Sequence, residues 1–291
     1  MKIAIVGAGN VGTSLAVLLQ QAGHQICGIA SRTESSAARA AQRVNAPHST
    51  EPTQFTKQAD LVFITTPDRV ISEVCHQIAS QNGFKPQSIV AHTSGAHSSK
   101  ILESAAEINA RPISFHPLQT FANPDAGIKN LPGSFITIEG QEEALPAARQ
   151  LVDDLSCKLL EIPTEGKELY HAAACIACNY FTTLIDSALT VMEKAGVKKE
   201  DGLPALYPLI AGTLKNISQV GTTNALTGPI ARGDTQTVQA HLTQMEKQIP
   251  EIIPLYHLLG QATADVATAK GTLGSQERQN LLKILGGADN D

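Results

Sequence analysis

The chain of 291 residues is poor in aromatic side chains, contains no tryptophan and has no excess of positive charge. Its 22 lysines and arginines are outnumbered by 27 aspartates and glutamates, which gives a net charge of −5. Proteins that bind phosphate backbones or acidic membrane surfaces usually have the opposite balance. We therefore expect no nucleic-acid partner.

Other features are also missing. No uninterrupted apolar run approaches the ~20 residues that cross a membrane, and the first residues do not resemble a signal peptide. The five cysteines are odd in number and lack the spacing of an extracellular disulfide framework. These absences predict a cytoplasmic protein without a membrane partner.

The pattern of apolar residues divides the chain into two parts. Short β-branched runs alternate with helical patterns as far as residue 162, which predicts an α/β domain over residues 1–162 with a Rossmann-like, doubly wound and mostly parallel sheet. Helical periods alone follow, beginning with a long helix over Glu165–Ala195. Residues 163–291 are therefore predicted to form an all-helical domain for substrate binding and dimerisation. Because this half has little core of its own, we expect a homodimer.

A GxGxxG turn directly follows the first β-branched run and opens a helical stretch, the context in which this motif binds a dinucleotide. Gly7 allows a sharp turn, Gly9 lets the backbone approach a pyrophosphate, and Gly12 lets the helix pack on the strand. The helix N-terminus adds unpaired N–H groups and a positive dipole end. The predicted contacts near the phosphates and the nicotinamide ribose are Gly7, Gly9, Asn10, Val11, Gly12, Thr66 and Pro67.

The end of the second strand indicates which dinucleotide binds. NAD-preferring turns usually place a carboxylate about 20 residues past the glycines, but this chain has Ser31, Arg32 and Thr33 there. A guanidinium and two hydroxyls can hold a 2′-phosphate, so the predicted cofactor is NADP. The alternative is that Arg32 is an ordinary solvated arginine.

Ligands of open parallel sheets lie beyond the carboxyl ends of the strands. Ser94 follows one predicted strand and could hydrogen-bond a substrate carboxylate or the nicotinamide amide. His116 follows another, where a proton donor would be useful, and both are predicted to bind substrate. A lone histidine is nevertheless more often structural than catalytic.

The helical half supplies further candidates. Lys167, His171 and Asn179 share one side of the long helix and are predicted to be catalytic, although they could instead satisfy neighbouring helix ends. Arg232 lies in a Gly/Pro-punctuated loop and could hold a substrate carboxylate. The CxxC formed by Cys175 and Cys178 has no second pair, so buried core cysteines are expected and no metal site is predicted.

Several motifs resemble those of known families. The glycine turn, the strand ending in Thr-Thr-Pro, the Ser-Gly after a later strand and the long helix resemble the β-hydroxyacid dehydrogenase superfamily, which includes ketopantoate reductase and pyrroline-5-carboxylate reductase. Three later motifs are similar to a family that pairs a Rossmann-like domain with a helical domain of unknown function. These motifs are 114–119, 170–173 followed by Asn179-Tyr180, and 226–229 through 232–234.

The resemblance implies an active site with a lysine and an asparagine on the long helix. Lys167 fits the lysine, but the superfamily often has asparagine one turn later, where this chain has His171. The proton donor therefore stays open between these two residues.

The predicted function is an NADP-dependent oxidoreductase that reduces a small oxo acid or imine, with a ketopantoate-like 2-oxo acid as the leading substrate. Two alternatives stay open: a prephenate-type dehydrogenase, and a non-catalytic protein that senses NADP or acts as a scaffold. Catalysis would need Lys167, His171 and Asn179 to face one substrate position, whereas packing of these residues against helix ends would favour binding alone.

Overall fold

A computed structural model describes residues 1–287, which form two compact units. The first unit is Met1–Cys178 and the second begins at Asn179. The sequence boundary at residue 162 lies earlier, because the helix that follows it bonds to the sheet of the first unit. On that helix, Lys167 donates a hydrogen bond to Ser114, and the Tyr170 hydroxyl shares one with His116. Ser114 and His116 lie on one central strand of the sheet.

The first unit is built on one eight-stranded sheet in the order β3-β2-β1-β4-β5-β6-β7-β8. Only the β6–β7 pair is antiparallel. The predicted mostly parallel, doubly wound sheet is thus confirmed. The strands are β1 Lys2–Val6, β2 Gln25–Ala30, β3 His48–Ser49, β4 Leu61–Ile64, β5 Ile89–His92, β6 Arg111–Leu118, β7 Phe135–Gly140 and β8 Lys158–Glu161.

Helices cover both faces of this sheet. Successive strand residues point to opposite sides, so buried strands present apolar side chains on each face. In β1, Ile3 and Ile5 enter one apolar core, while Ala4 and Val6 enter the other. The helices of this unit are α1 Asn10–Gln21, α2 Glu34–Gln42, α3 Thr53–Thr56, α4 Ile71–Ser80, α5 Glu103–Glu107, α6 Pro124–Asn130, α7 Leu145–Asp154 and α8 Lys167–Cys175. Side chains of α1, α2 and α7 fill the first core, and those of α3, α4 and α5 fill the second.

β6 is longer than the sequence predicted. The predicted strand ended at Phe115 and left His116 and Pro117 in a loop, but β6 continues to Leu118. Its pairing with β5 ends at Ser114, and beyond that residue only β7 lies beside it. A strand with one free side tolerates the missing N–H of proline. His116 therefore projects from a rigid strand.

The predicted long helix is interrupted. A 3₁₀ turn, Thr164–Gly166, leads into α8, and a π-helical segment, Ile176–Tyr180, separates α8 from α9 Phe181–Lys194. Asn179 lies in the π-helical segment, as does Cys178 of the CxxC. Such segments are rare and often mark functional positions. Cys178 is exposed and Cys175 is half-buried, so the expectation of buried core cysteines is wrong.

This helical stretch also bears on the expectation that the protein has no membrane partner. Among the described residues, Thr164–Lys194 is long and apolar enough, by length and composition, to cross a membrane. The criterion is the mean hydropathy of 18 residues, which can be high even where charged residues interrupt the apolar run. A search for uninterrupted apolar runs therefore does not find this helix. A single helix of this kind is weak evidence for a membrane span.

The second unit is helical throughout. It contains α9, α10 Lys199–Ala225, α11 Thr235–Gln248, α12 Ile253–Lys270 and α13 Ser275–Ile284. Its apolar core is small and comes from α11, α12, α13 and the turn before α11. Gly271 ends α12 in the left-handed conformation, with φ of 79°, as expected of a C-terminal cap.

The glycine turn yields a test of why position 12 must be a glycine. A Cβ at Gly12 would collide with the Gly7 carbonyl and the Thr65 hydroxyl, whereas a Cβ at Gly9 meets no heavy atom of residues 1–287 within 4 Å. We expect Gly12→Ala to lower the free energy of unfolding by about 2 kcal/mol or more through overpacking. Urea denaturation measures the change.

Gly9→Ala is the matched control and should leave stability within ~0.5 kcal/mol of the parent. Equal stability of the Gly12→Ala and Gly9→Ala proteins would contradict the packing role of Gly12.

Candidate active site

The glycine turn joins β1 to α1 at the carboxyl edge of the sheet. Gly7 has a φ of +117°, and a Cβ there would lie 2.7–2.8 Å from the backbone of Thr65 and Thr66. Thr65 Oγ1 donates to the Gly7 carbonyl over 2.7 Å, which fixes the turn against the end of β4. Gly9, the N-cap of α1, is exposed and offers no side-chain cap. The first residues of α1, Asn10 to Thr13, include no carboxylate, so the positive helix end is not neutralised there.

Two features of this turn fit a bound dinucleotide. Open space lies where a Cβ of Gly9 would be, so a phosphate can approach the backbone. Thr66 Oγ1, beside the turn, is buried and has no hydrogen-bond partner in the described part of the chain. A buried hydroxyl without a partner costs free energy, which a ligand hydroxyl or phosphate would recover.

Other predicted cofactor residues have different surroundings. The Asn10 side chain donates to the carbonyls of Phe121 and Ala122 at 2.8 and 3.1 Å, so only its backbone is available at the turn. Val11 is half-buried and packs against the core. Pro67 is exposed and precedes a short 3₁₀ turn after β4.

The segment after β2 presents one free cation. Arg32 is exposed, and no described residue forms a hydrogen bond or ion pair with its guanidinium. Thr33 caps α2: its hydroxyl accepts from Ser36 N at 3.4 Å and donates to Ser36 Oγ at 2.9 Å. The Ser31 backbone N–H donates to Ser49 at 3.2 Å. Of the three predicted phosphate ligands, Thr33 is thus the one whose side chain is committed to the protein, while Arg32 offers an uncommitted positive charge.

Ser94 shapes the loop after β5. Its hydroxyl donates to Asp68 Oδ2 at 2.7 Å and accepts from the backbone N–H groups of Ala96 and His97 at 3.1 and 3.2 Å. A hydroxyl has one proton and two lone pairs, so these bonds use all of them. Ser94 therefore ties two loops together and has no free valence for the substrate carboxylate that the sequence assigned to it.

His92, the last residue of β5, is also structural. Ser94 N donates to its Nδ1 at 3.1 Å, and its Nε2 lies 3.1 Å from the Ser98 carbonyl. The partners require Nε2 to carry the proton. Burial, helped by the positive charge of nearby Lys167, lowers its pKa to about 3. This imidazole is neutral and cannot donate a proton to a substrate near neutral pH.

Lys167 opens α8 and is completely buried. Its Nζ donates to Ser114 Oγ in the middle of β6 over 2.7 Å and lies 5.6 Å from the centre of the Tyr170 ring. Burial lowers the pKa of Lys167 to about 8, while the carboxylates of Glu139 and Asp68 oppose the shift. A lysine with such a pKa stays mostly protonated near neutral pH but releases its proton more readily than an ordinary lysine.

His116 and Tyr170 form the next contact of this cluster. His116 Nδ1 lies 2.9 Å from the Tyr170 hydroxyl, and the rings pack edge to face. Burial lowers the pKa of His116 to about 3, helped by the positive charge of Lys167. Burial also raises the pKa of Tyr170. His116 is therefore a neutral hydrogen-bonding group.

Two imidazoles pack closely against Gly95 and leave no room for a side chain there. A Cβ at this position would lie 2.5 Å from His171 Nδ1 and 2.8 Å from His116 Nε2. His171 Nδ1 is buried and has no hydrogen-bond partner within residues 1–287, while its Nε2 lies 3.5 Å from Cys175 Sγ. Two ring nitrogens thus lie against Gly95, and a polar group of a substrate that reached His171 Nδ1 would supply its missing partner.

Two predicted site residues belong to the second unit. Asn179 is exposed in the π-helical segment. Arg232 is exposed in the 3₁₀ turn Ile230–Arg232. Asp234 caps α11 by accepting from Thr237 N at 3.0 Å. The roles of Asn179 and Arg232 stay predictions.

The sequence alone did not assign site roles to four residues: Asp68, Ser114, Glu139 and Tyr170. Alternation along β6 could have found Ser114, because residues two apart on a strand share a face and His116 was already a candidate. Tyr170 adjoins His171 in a motif already noted. Asp68 and Glu139 gave no local signal, since their partners lie far away in the chain. Among the described residues, no three His, Cys, Asp or Glu side chains form a candidate metal site.

Comparison with known proteins gives matches to two domain models. Residues 1–117 match a Rossmann-like domain, and residues 134–263 match a domain of unknown function, DUF2520. The chain thus combines a Rossmann-like domain with that helical domain, which confirms the predicted resemblance. No curated protein matches the sequence.

Solved structures of similar proteins cover nearly the whole chain. Protein BF3122 of Bacteroides fragilis, provisionally described as an NADP oxidoreductase, is 26% identical with a TM-score of 0.74, covering 91% of this chain and 98% of its own. Protein TM1727 of Thermotoga maritima is 25% identical with a TM-score of 0.69, covering 92% and 99%. A 1-pyrroline-5-carboxylate reductase of Streptococcus pyogenes is 17% identical with a TM-score of 0.61, covering 97% and 98%, and shares the fold.

Proposed function

We propose that this Rossmann-like protein with a DUF2520 domain is an NADP-dependent oxidoreductase that reduces the carbonyl or imine group of a small oxo acid or imine. The observation that carries the proposal is the buried Lys167 ammonium on Ser114, in a cluster with His116 and with His171, whose buried Nδ1 has no hydrogen-bond partner among residues 1–287. The similarity to a provisionally described NADP oxidoreductase supports the cofactor class.

The register of the sheet supports a shared site for cofactor and substrate. Val6, Ile64, His92 and Ser114 lie in one row across β1, β4, β5 and β6. The glycine turn begins one residue after Val6, so the turn and the Lys167 contact lie along the same edge, three strand spacings or ~14 Å apart. When bound, NADPH would supply the hydride. Gly9, Thr66 and Arg32 are the residues that would hold it.

Lys167 is the better of the two candidate proton donors. Its ammonium carries the charge in this cluster, and its lowered pKa suits proton transfer to a developing alkoxide or amine. His116 Nε2 and His171 Nδ1 then orient the substrate through hydrogen bonds. Arg232 stays a candidate for binding a substrate carboxylate. Lys167 and His171, two of the three residues named for catalysis, belong to this cluster, which supports catalysis over the non-catalytic alternative. Asn179, the third, belongs to the second unit and adds no support.

A ketopantoate-like 2-oxo acid stays the leading substrate. A cyclic imine is the second candidate, because the fold is shared with a 1-pyrroline-5-carboxylate reductase and the neutral imidazole of His116 can accept a hydrogen bond from an N–H group. Either substrate fits a site with one ammonium donor and two hydrogen-bonding imidazoles.

Lys167→Met tests the donor. Loss of general acid catalysis should lower kcat/KM by about 10²- to 10⁴-fold while NADPH binding is retained. NADPH oxidation is followed against a panel of 2-oxo acids and cyclic imines. In the parent protein, kcat/KM should fall as the pH rises through about 8, because Lys167 then loses its proton.

Lys158→Met, at an exposed lysine on β8, is the matched control and should leave turnover unchanged. Full activity of the Lys167→Met protein would exclude Lys167 as the donor. NADPH binding without oxidation by any substrate of the panel would favour the sensing alternative.

Arg32→Ala tests the choice of cofactor. Loss of a charge-assisted bond to the 2′-phosphate is worth about 1.5–3 kcal/mol, so the Kd for NADPH should rise ~10- to 100-fold while that for NADH stays constant. Fluorescence titration with both nucleotides measures this. Arg39→Ala, at the last turn of α2, should leave both constants unchanged. Equal losses for NADPH and NADH would argue against a phosphate contact.

The homodimer is also a proposal, supported by unpaired apolar surface in the second unit. Within the described chain, α9 has no buried residue and α10 buries only Gly202 over 27 residues. Large apolar side chains are more than 45% exposed at Leu203, Tyr207, Leu209, Leu214, Val220 and Leu258. Helices gain most of their stability from tertiary packing, so a second copy is the partner that would cover these faces. In a cytoplasmic dimer, the second copy would cover these apolar faces in place of lipid.

Light scattering after gel filtration should therefore give twice the chain mass of 30.7 kDa without detergent. Introducing charge into the face with Leu209→Glu and Leu214→Glu should reduce the mass to that of a monomer. A monomeric parent that binds lipid vesicles would contradict the dimer and favour a membrane role for this helical surface.

A further inference from the structure

A buried carboxylate lies next to the Lys167 cluster. Glu139, on β7, is only 4% exposed. It accepts three hydrogen bonds: Ser99 N donates to Oε1 at 2.6 Å, and Ser99 Oγ and Thr164 Oγ1 each donate to Oε2 at 2.9 Å. Acidic side chains are rarely buried so deeply without a compensating charge. These neutral donors supply no positive charge.

Lys167 lies on the same side of the sheet as Glu139, and the charge of Glu139 acts on it. In the antiparallel β6–β7 pair, Glu139 lies directly opposite Ser114, the residue that accepts from Lys167 Nζ. Directly opposite residues in such a pair project from the same face of the sheet. Glu139 is thus a cross-strand neighbour of the group that binds the ammonium.

Glu139 also contacts the start of the helix that bears Lys167. Its Oε2 holds the hydroxyl of Thr164, the first residue of the 3₁₀ turn Thr164–Gly166, and α8 begins with Lys167 immediately after this turn. Through Ser99 it also holds the 3₁₀ turn Ser99–Leu102 that follows the Gly95 loop. One carboxylate therefore fixes both segments.

We infer that Glu139 is a positioning residue for Lys167, which it acts on in two ways: its negative charge keeps the buried ammonium protonated, and its bond to Thr164 fixes the start of α8. The catalytic meaning of this role rests on the proposed function. The effect of Glu139 on Lys167 does not.

The other titratable groups around Lys167 do not replace Glu139. His92 and His116 are neutral and, when charged, would repel the ammonium. Tyr170 and His171 lie on α8 itself. Asp68 also opposes the loss of the Lys167 proton, but it is exposed, bonds to Ser94 and contributes less than Glu139. Solvent screens an exposed charge more than a buried one.

The test is a pH titration of lysine side chains by NMR in the full chain labelled with ¹³C at Cε, without cofactor or substrate. The Lys167 resonance is identified by its loss in Lys167→Met. We expect its midpoint at about 8 in the parent protein. Glu139→Gln keeps the shape and removes the charge, so the midpoint should fall by about one unit or more.

Two control variants retain the carboxylate. Ser99→Ala removes one hydrogen bond to Glu139, and Thr164→Val removes the bond to the start of α8. Both should keep the Lys167 midpoint within a few tenths of a unit of the parent. An unchanged midpoint in Glu139→Gln overturns the inference, and so does an equal fall in Ser99→Ala, since structural disturbance would then explain both.

If Glu139→Gln does not fold, Glu139→Asp retains the charge and should keep the midpoint near the parent value; a fall of one unit there would overturn the inference. Where turnover is found, the alkaline decline of kcat/KM in Glu139→Gln should move to lower pH by the shift seen by NMR. A decline that stays in place while the NMR midpoint moves would count against Lys167 as the donor. It would leave the action of Glu139 on Lys167 intact.

Discussion

Burying the ammonium of Lys167 costs free energy, and much of the first unit is arranged to offset that cost. Ser114 on β6 accepts its hydrogen bond, and the carboxylate of Glu139 lies across from Ser114 on β7. Because these contacts join α8 to the middle of the sheet, the unit continues past the last strand to Cys178. Burial also keeps His92 and His116 neutral, and the positive charge of Lys167 acts in the same direction.

The glycine turn is constrained by packing more than by ligand chemistry at two of its three glycines. Gly7 and Gly12 are close to each other and to Thr65, so a side chain on either would push α1 away from β4. Only Gly9 faces open space. The turn is therefore held in shape by the protein itself, and a phosphate can bind to a backbone that is already in place.

Much of the fold could be predicted from sequence because its signals are local. Alternation of strands and helices gave the Rossmann-like sheet, and the caps at Asp234 and Gly271 depend on residues a few positions apart. The extension of β6 through Pro117 was missed, because it depends on β5 ending beside Ser114. The π-helical interruption at Ile176–Tyr180 was missed as well, since an apolar helical period continues through it.

The sequence by itself determined the turn that fits a dinucleotide, the cation after β2 and the order of sheet and helices, because each is written in neighbouring residues. Only the tertiary structure decided which polar groups meet. Ser94 is occupied by Asp68, His116 contacts Tyr170, and Lys167 meets Ser114, each over 26 to 54 positions of the chain. Such partnerships depend on strand register and on which helix packs on which strand, and no local pattern encodes either.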